Sequence, residues 1–185
     1  MSKILIVLSI ASLLGLNQDK LVKTKVGEHV TVLLPEAFFP MSVSDMSQRY
    51  PSVRQPIGAF TNTQRLVDFS VKQSATQWRE SDIEIAKGFF KASLLNLYDR
   101  TEILKEGIET INGKEFIVFE METRINGDKY TLDQKDPVRK YIYVQYLLIN
   151  GKTIVFAFNA PIQMKNEWQA KVKEMMQSVK VKNSI

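Results

Sequence analysis

The sequence holds 185 residues (21.2 kDa), 44% hydrophobic and 24% charged, with a formal net charge of +5, the size and balance of one globular domain. It has no cysteine, which excludes disulfides, thiolate nucleophiles, Cys-ligated zinc and iron–sulfur clusters. Its single histidine, His29, excludes multi-histidine metal sites and leaves one imidazole for acid–base chemistry.

Residues 1–17 read MSKILIVLSIASLLGLN: Lys3, then an apolar run from Ile4 to Leu14, then small and polar residues. The run falls short of the roughly 20 residues that span a bilayer, and its layout is that of a secretory signal peptide. The expected mature chain is therefore periplasmic or secreted, with no lipid-modifiable cysteine and no stable membrane anchor. Without Lys3 its formal charge is +4, with basic and acidic residues intermingled and one tight basic cluster at Lys20, Lys23 and Lys25. A nucleic-acid partner needs a contiguous basic face, so none is expected.

The first strand spans His29–Leu34, with Val30, Val32 and Leu34 on one side and Pro35 as its stop. A long connection over residues 35–56 follows, wrapping the core through Phe38, Phe39 and Tyr50, with Ser44 capping a turn or two around Met46 before Pro51. Strands near Gly58–Thr61 and Leu66–Ser74 come next, separated by the turn-prone Asn62. In the second, Val67, Phe69 and Val71 alternate with Asp68, Ser70 and Lys72.

Ser81 and Glu84 fit a capping box, and Ile83, Ala86, Phe90, Leu94 and Leu97 recur at helical spacing, so the first long helix runs from here to about Tyr98–Arg100. Gly88 costs about 1 kcal/mol against Ala there, which suggests close approach to a sheet. Then Ile103–Ile111, Glu115–Ile125, Val138–Ile149 and Thr153–Asn159 form an antiparallel meander, turned by Asn112-Gly113, Asn126-Gly127 and Asn150-Gly151. A closing helix starts at Pro161, with Trp168, Val172, Met175, Met176 and Val179 on one face and Lys165, Lys171, Lys173 and Lys180 over the remainder. Strands apolar on both sides need cover above and below. The expected architecture is α+β, an α/β/α sandwich around a central antiparallel sheet.

The segment TIVFAFNAPIQMKNEWQAKVKEMMQSVKV resembles the last strand and helix of the PsbP/Mog/DcrB-like superfamily, and VTVLLPEAFF resembles its opening strand and proline. The likeness covers about residues 20–182, read as a single domain. It implies a PsbP/Mog-like sandwich whose relatives bind or assemble other proteins: photosystem II for PsbP, a small GTPase for Mog, a role in the bacterial envelope for DcrB, and chaperoning in secretion systems. The exported start points to the envelope branch. No catalytic motif or functional residue comes with the resemblance.

His29, at the head of a strand, reads as a surface or edge residue. No G-x-S-x-G, G-x-G-x-x-G or P-loop occurs. Glu120 and Glu122 share a strand face with Arg124 and read as paired charges on an exposed face, rather than as a cation site or a proton-sharing pair. Asp128, Asp133 and Asp136 lack the spacing of a calcium loop. No catalytic residue, metal or cofactor is therefore assigned. Tyr141, Tyr143, Phe156 and Phe158 read as core, with one member of each pair free to line a groove between sheet and wrap. Phe38, Phe39, Arg49 and Tyr50 form the expected partner surface, because loops carry function and aromatic and Arg side chains anchor interfaces.

Two function classes follow. The first is an exported, non-enzymatic binding or assembly module of the cell envelope that recognises a protein partner, an immunity protein being one special case. The alternative is a carrier of a small apolar ligand, held in a pocket between the sheet and the first long helix. A carboxylate-dependent hydrolase is a distant third.

Overall fold

The computed structural model describes residues 20–50, 55–126 and 136–185. The expected leader, Pro51, Gly127 of the expected Asn126-Gly127 turn, Asp128 and Asp133 lie outside the described residues. In chain order the elements are β1 (Leu21–Val26), β2 (Val30–Pro35), β3 (Phe39–Pro40), α1 (Val43–Arg49), β4 (Gly58–Thr61), β5 (Asp68–Gln73), α2 (Ile83–Asn96), β6 (Arg100–Ile111), β7 (Lys114–Ile125), β8 (Val138–Ile149), β9 (Lys152–Pro161), α3 (Lys165–Gln177) and β10 (Lys180–Val181).

The tight turns do the local work. Asn112 and Gly113 have φ of 49° and 79°, and Asn150 and Gly151 have 51° and 69°. Positive φ at both central residues matches the turn twist to that of the flanking strands. Strands β6 to β9 therefore pair antiparallel in sequence order, and β5 adds to the far side of β9. The resulting seven-stranded sheet has the order β3-β4-β5-β9-β8-β7-β6.

Strand alternation then sends two sets of side chains to opposite faces. Ile117, Phe119 and Met121 of β7 pack with Ala86, Phe90 and Leu94 of α2. Phe116 and Val118 face the other way, into a core with Tyr141, Tyr143, Phe156, Phe158 and the Trp168, Val172, Met175 and Met176 stripe of α3. Each fully buried side chain of this size contributes about 1.5–3 kcal/mol of transfer free energy, so the sheet holds both helical layers. This is the expected α/β/α sandwich. Tyr141, Tyr143, Phe156 and Phe158 are all core, and none of these four is free to line a groove.

A second sheet shares the α3 layer. Strands β1, β2 and β10 form it in the order β1-β2-β10, with Val26, Val30, Val32 and Leu34 buried against the main sheet and α3. His29 lies at its turn, beside Glu28 and within 3.3 Å of the Ser184 hydroxyl. The expected opening strand is thus the middle of a separate sheet, because the chain end returns as β10 to pair with it.

Several local expectations need correction. The long connection contains a strand and a helix, and α1 is capped by Ser42 rather than Ser44: the Ser42 hydroxyl accepts from Asp45 N–H at 3.1 Å and donates to the Asp45 carboxylate at 2.8 Å. The Ser81–Glu84 capping box does not form. A 3₁₀ turn at Glu80–Asp82 precedes α2, and Ser81 donates to Asp82 instead. Pro161 does not begin the last helix. It is extended (φ −54°, ψ 145°), ends β9, and leads into a 3₁₀ turn at Ile162–Met164.

Glu120 and Glu122 are not on an exposed face. Glu120 is 2% exposed and accepts from the Tyr141 hydroxyl (3.1 Å) and the Gln169 amide (2.5 Å), with Lys173 Nζ at 3.7 Å. Lys165 Nζ lies 2.6 Å from Glu122. Lys165, Gln169 and Lys173 recur every fourth residue, so α3 lays a polar stripe across these carboxylates as well as an apolar one on the core.

Gly88 approaches nothing: an added Cβ meets no atom within 4 Å. With no packing reason for glycine, Gly88→Ala is expected to stabilise the fold by about 0.5–1 kcal/mol, read as a raised urea midpoint at constant m-value.

Candidate functional site

On one face of the sheet α2 packs with β7, β8 and Val155 of β9. Between its flank and the same face of β9 and β5 runs a groove of about 460 Å³. The floor is Val155, Ala157 and Asn159 of β9 with Ser70 and Lys72 of β5. Phe89, Ser93 and Leu97 form the helical wall, and Tyr50 closes one side.

The helical wall follows from sequence spacing. Ala86, Phe90 and Leu94 point at the sheet and are buried. One position earlier in each turn stand Ile85, Phe89 and Ser93, with Leu97 continuing the row. In a solvated helix that row would be polar. Here Ile85 is 68%, Phe89 44% and Leu97 64% exposed. Aromatic stacking holds the wall in place: Phe90 lies flat on Tyr146 at 4.1 Å, while Trp78 contacts Phe89 at 5.4 Å.

Lys72 brings a positive charge to the groove, and its other polar groups are hydroxyls and amides. Burial, reinforced by Asp68, pushes the Tyr50 phenol up to about 12. Its hydroxyl lies near Ser70 yet makes no hydrogen bond of normal geometry among the described residues. Burial likewise raises Tyr98 and Tyr146. These phenols stay neutral at physiological pH, so the groove can bury an apolar group and offer a few hydroxyl and amide contacts to its polar edge.

The four residues expected to form one partner surface do not converge. Phe38 packs on Trp168 at 5.5 Å, on the α3 side of the sheet. Phe39 sits at the sheet edge opposite Thr61. Arg49 is engaged internally, donating to Asp68 at 2.6 Å and to the Arg65 carbonyl at 2.7 Å. Of the four, Tyr50 alone reaches the groove, on the α2 side. The row Ile85, Phe89, Leu97 flanks the buried stripe and in sequence looks like its broader edge. The helical pattern includes Leu97 alone of the three, as part of the buried stripe, whereas the side chain is 64% exposed. Among the described residues, no three His, Asp or Glu side chains are grouped to hold a metal ion, and no helix is long and apolar enough to cross a membrane.

The Arg49–Asp68 contact carries a pH signature. Burial raises the Asp68 carboxyl above its ordinary 3.8, and the Arg49 guanidinium opposes the rise. Between 3.8 and that raised value the folded state binds more protons than the unfolded one, so stability falls as pH rises through the window. Arg49→Gln removes the opposing cation and widens the window upward. The variant is expected to lose about 1–3 kcal/mol near neutrality and to recover part of it as pH is lowered. Urea melts of both proteins at several pH values check the sign.

No family model and no curated protein matches the chain. Among solved structures it is similar to CyanoP, the cyanobacterial PsbP of Synechocystis sp. PCC 6803, with 13% identity, a TM-score of 0.59, and 94% of this chain and 99% of that one covered. It is similar also to the Ran-binding protein Mog1p of Saccharomyces cerevisiae (16% identity, TM-score 0.51, 88% and 96% covered). A point variant of protein Mog1 aligns over the same shares at 14% identity and a TM-score of 0.56. The chain thus has the PsbP/Mog-like fold, and identities this low speak to fold alone.

Proposed function

We propose that this chain is a non-enzymatic binding module, exported to the cell envelope by its apolar leader, that recognises a protein partner through the groove between α2 and strands β5 and β9. The observation that carries this reading is the exposed row Ile85, Phe89 and Leu97, which continues the groove's apolar wall along the helix into solvent. Exposed apolar surface contiguous with a concavity marks interaction sites. A described Ran-binding protein and a PsbP protein of the same fold support a binding or assembly role.

A protein occupant suits the shape. Small-molecule sites bury about 70–90% of their ligand, whereas this groove is walled by side chains that are themselves half in water. A chain segment places one apolar side chain on the Val155–Ala157 floor and runs its neighbours along Ile85 to Leu97. The alternative reading, a carrier of a small apolar ligand, draws on the 460 Å³ volume lying between sheet and long helix.

A photo-crosslinking residue at Ser93, compared with one at Lys182 on the far β10 side, tests both readings in cells. A protein adduct specific to position 93 supports the partner. No adduct, with a stoichiometric small molecule seen by native mass spectrometry, replaces it with the carrier. Fractionation of cells expressing the chain with and without residues 1–17 tests export: retention of both forms in the cytoplasm overturns that part.

A further inference from the structure

The register of the meander places three arginines side by side at one end of the sheet. Arg100 of β6 lies opposite Arg124 of β7, and Arg124 lies opposite Arg139 of β8. Adjacent strands are about 5 Å apart, so three guanidinium groups share one face within a row about 10 Å long. Like charges directly opposite one another on a sheet destabilise it. A sequence selected for stability alone would set acids against these bases.

Among the described residues, one carboxylate forms an ion pair with the row: Glu122, with Arg139. The next row on the same face pairs Glu102 with Glu122, again like with like. Glu122 is already held by Lys165 at 2.6 Å, and its distance to Arg139 is 3.9 Å. Arg100 and Arg124 form no ion pair or hydrogen bond among the described residues. The arginines border a concavity of about 180 Å³ whose inner edge is Glu102 and Glu122.

We propose that this concavity binds a compact phosphate-type oxyanion. Each planar guanidinium offers a fork of donors matched to a tetrahedral oxyanion, and neighbouring forks converge on one group in a way ammonium side chains do not. The inner carboxylates repel an anion displaced toward the core and confine it to the outer row. The site lies on the α3 side of the sheet, away from the groove, and stands independently of the partner-binding reading.

Inorganic pyrophosphate is the probe, titrated calorimetrically into the full chain at 0.15 M salt, where diffuse surface attraction is largely screened. Saturable one-to-one binding is expected. Arg124→Gln weakens it at least tenfold, Arg124→Lys weakens it less, and Lys182→Gln, at the opposite end of the strands, leaves it unchanged. In the absence of pyrophosphate Arg124→Gln melts at or above the wild-type temperature, because it relieves repulsion. Pyrophosphate raises the wild-type Tm but not that of the variant. Absence of saturable heat up to about 10 mM, a range that includes the weakest specific sites, overturns the proposal. So does equal weakening by Lys182→Gln, or a lowered Tm in Arg124→Gln without ligand.

Discussion

Alanine at Trp168 is expected to remove about 3–5 kcal/mol from the unfolding free energy, the largest single loss available in the α3 layer. The indole is buried and touches two rings from separate elements: Phe158 of β9 at 5.4 Å and Phe38 of the connection before α1 at 5.5 Å, with Lys171 Nζ 4.8 Å above its face. Truncation opens a cavity where the main sheet, α3 and the chain leading to α1 meet, and no single element can collapse into it. Trp168→Phe keeps most of the ring contact. The indole N–H has no hydrogen-bond partner among the described residues, so this change is expected to cost less than about 1.5 kcal/mol. Urea denaturation of the three proteins at equal m-value checks both figures. A loss below 1 kcal/mol for the alanine variant would mean that the α3 layer is not the rigid support described here.

The second large effect is on binding. Leu97→Asp and Ile85→Asp each place a charge on the row that extends the groove wall. Each is expected to weaken capture of the partner crosslinked from position 93 by about 30-fold or more, since central apolar anchors are worth at least 2 kcal/mol. Both side chains are more than half exposed, so stability should stay within about 0.5 kcal/mol of the parent. Phe90, one position inward from Phe89, is the contrast: stacked on Tyr146 and buried, its alanine variant loses about 3–5 kcal/mol of stability. Undiminished capture by both aspartate variants would remove the groove from the binding reading. A parallel fall in Tm would make any loss of capture uninformative, and Leu97→Ser then serves as the milder probe.

The two carboxylates of β7 show where pattern reading stops. Two charged residues on one strand face look solvent-exposed when the strand is considered alone. Glu120 is buried because α3, arriving some 45 residues later in the chain, supplies Gln169 and Lys173 to meet it. The partner surface expected at Phe38, Phe39, Arg49 and Tyr50 illustrates the same gap. Loop aromatics and arginines are good candidates for anchors, but loop composition does not say which of them the core or a neighbouring carboxylate will claim.

What the amino-acid order determined by itself is local and periodic: the turns at Asn112-Gly113 and Asn150-Gly151, the alternation that made β7 and β9 apolar on both sides, the buried stripes of α2 and α3, and hence a sandwich needing helices on each face. These follow from short-range sterics and from repeats of two and 3.6 residues, which need no knowledge of distant neighbours. Tertiary structure alone decided that β10 returns to β2, that a groove opens between α2 and strands β5 and β9, and that three arginines stand in register across three strands. Each of those depends on where one element stops relative to another far away in the chain, and that boundary is set by packing the whole rather than by any residue within it.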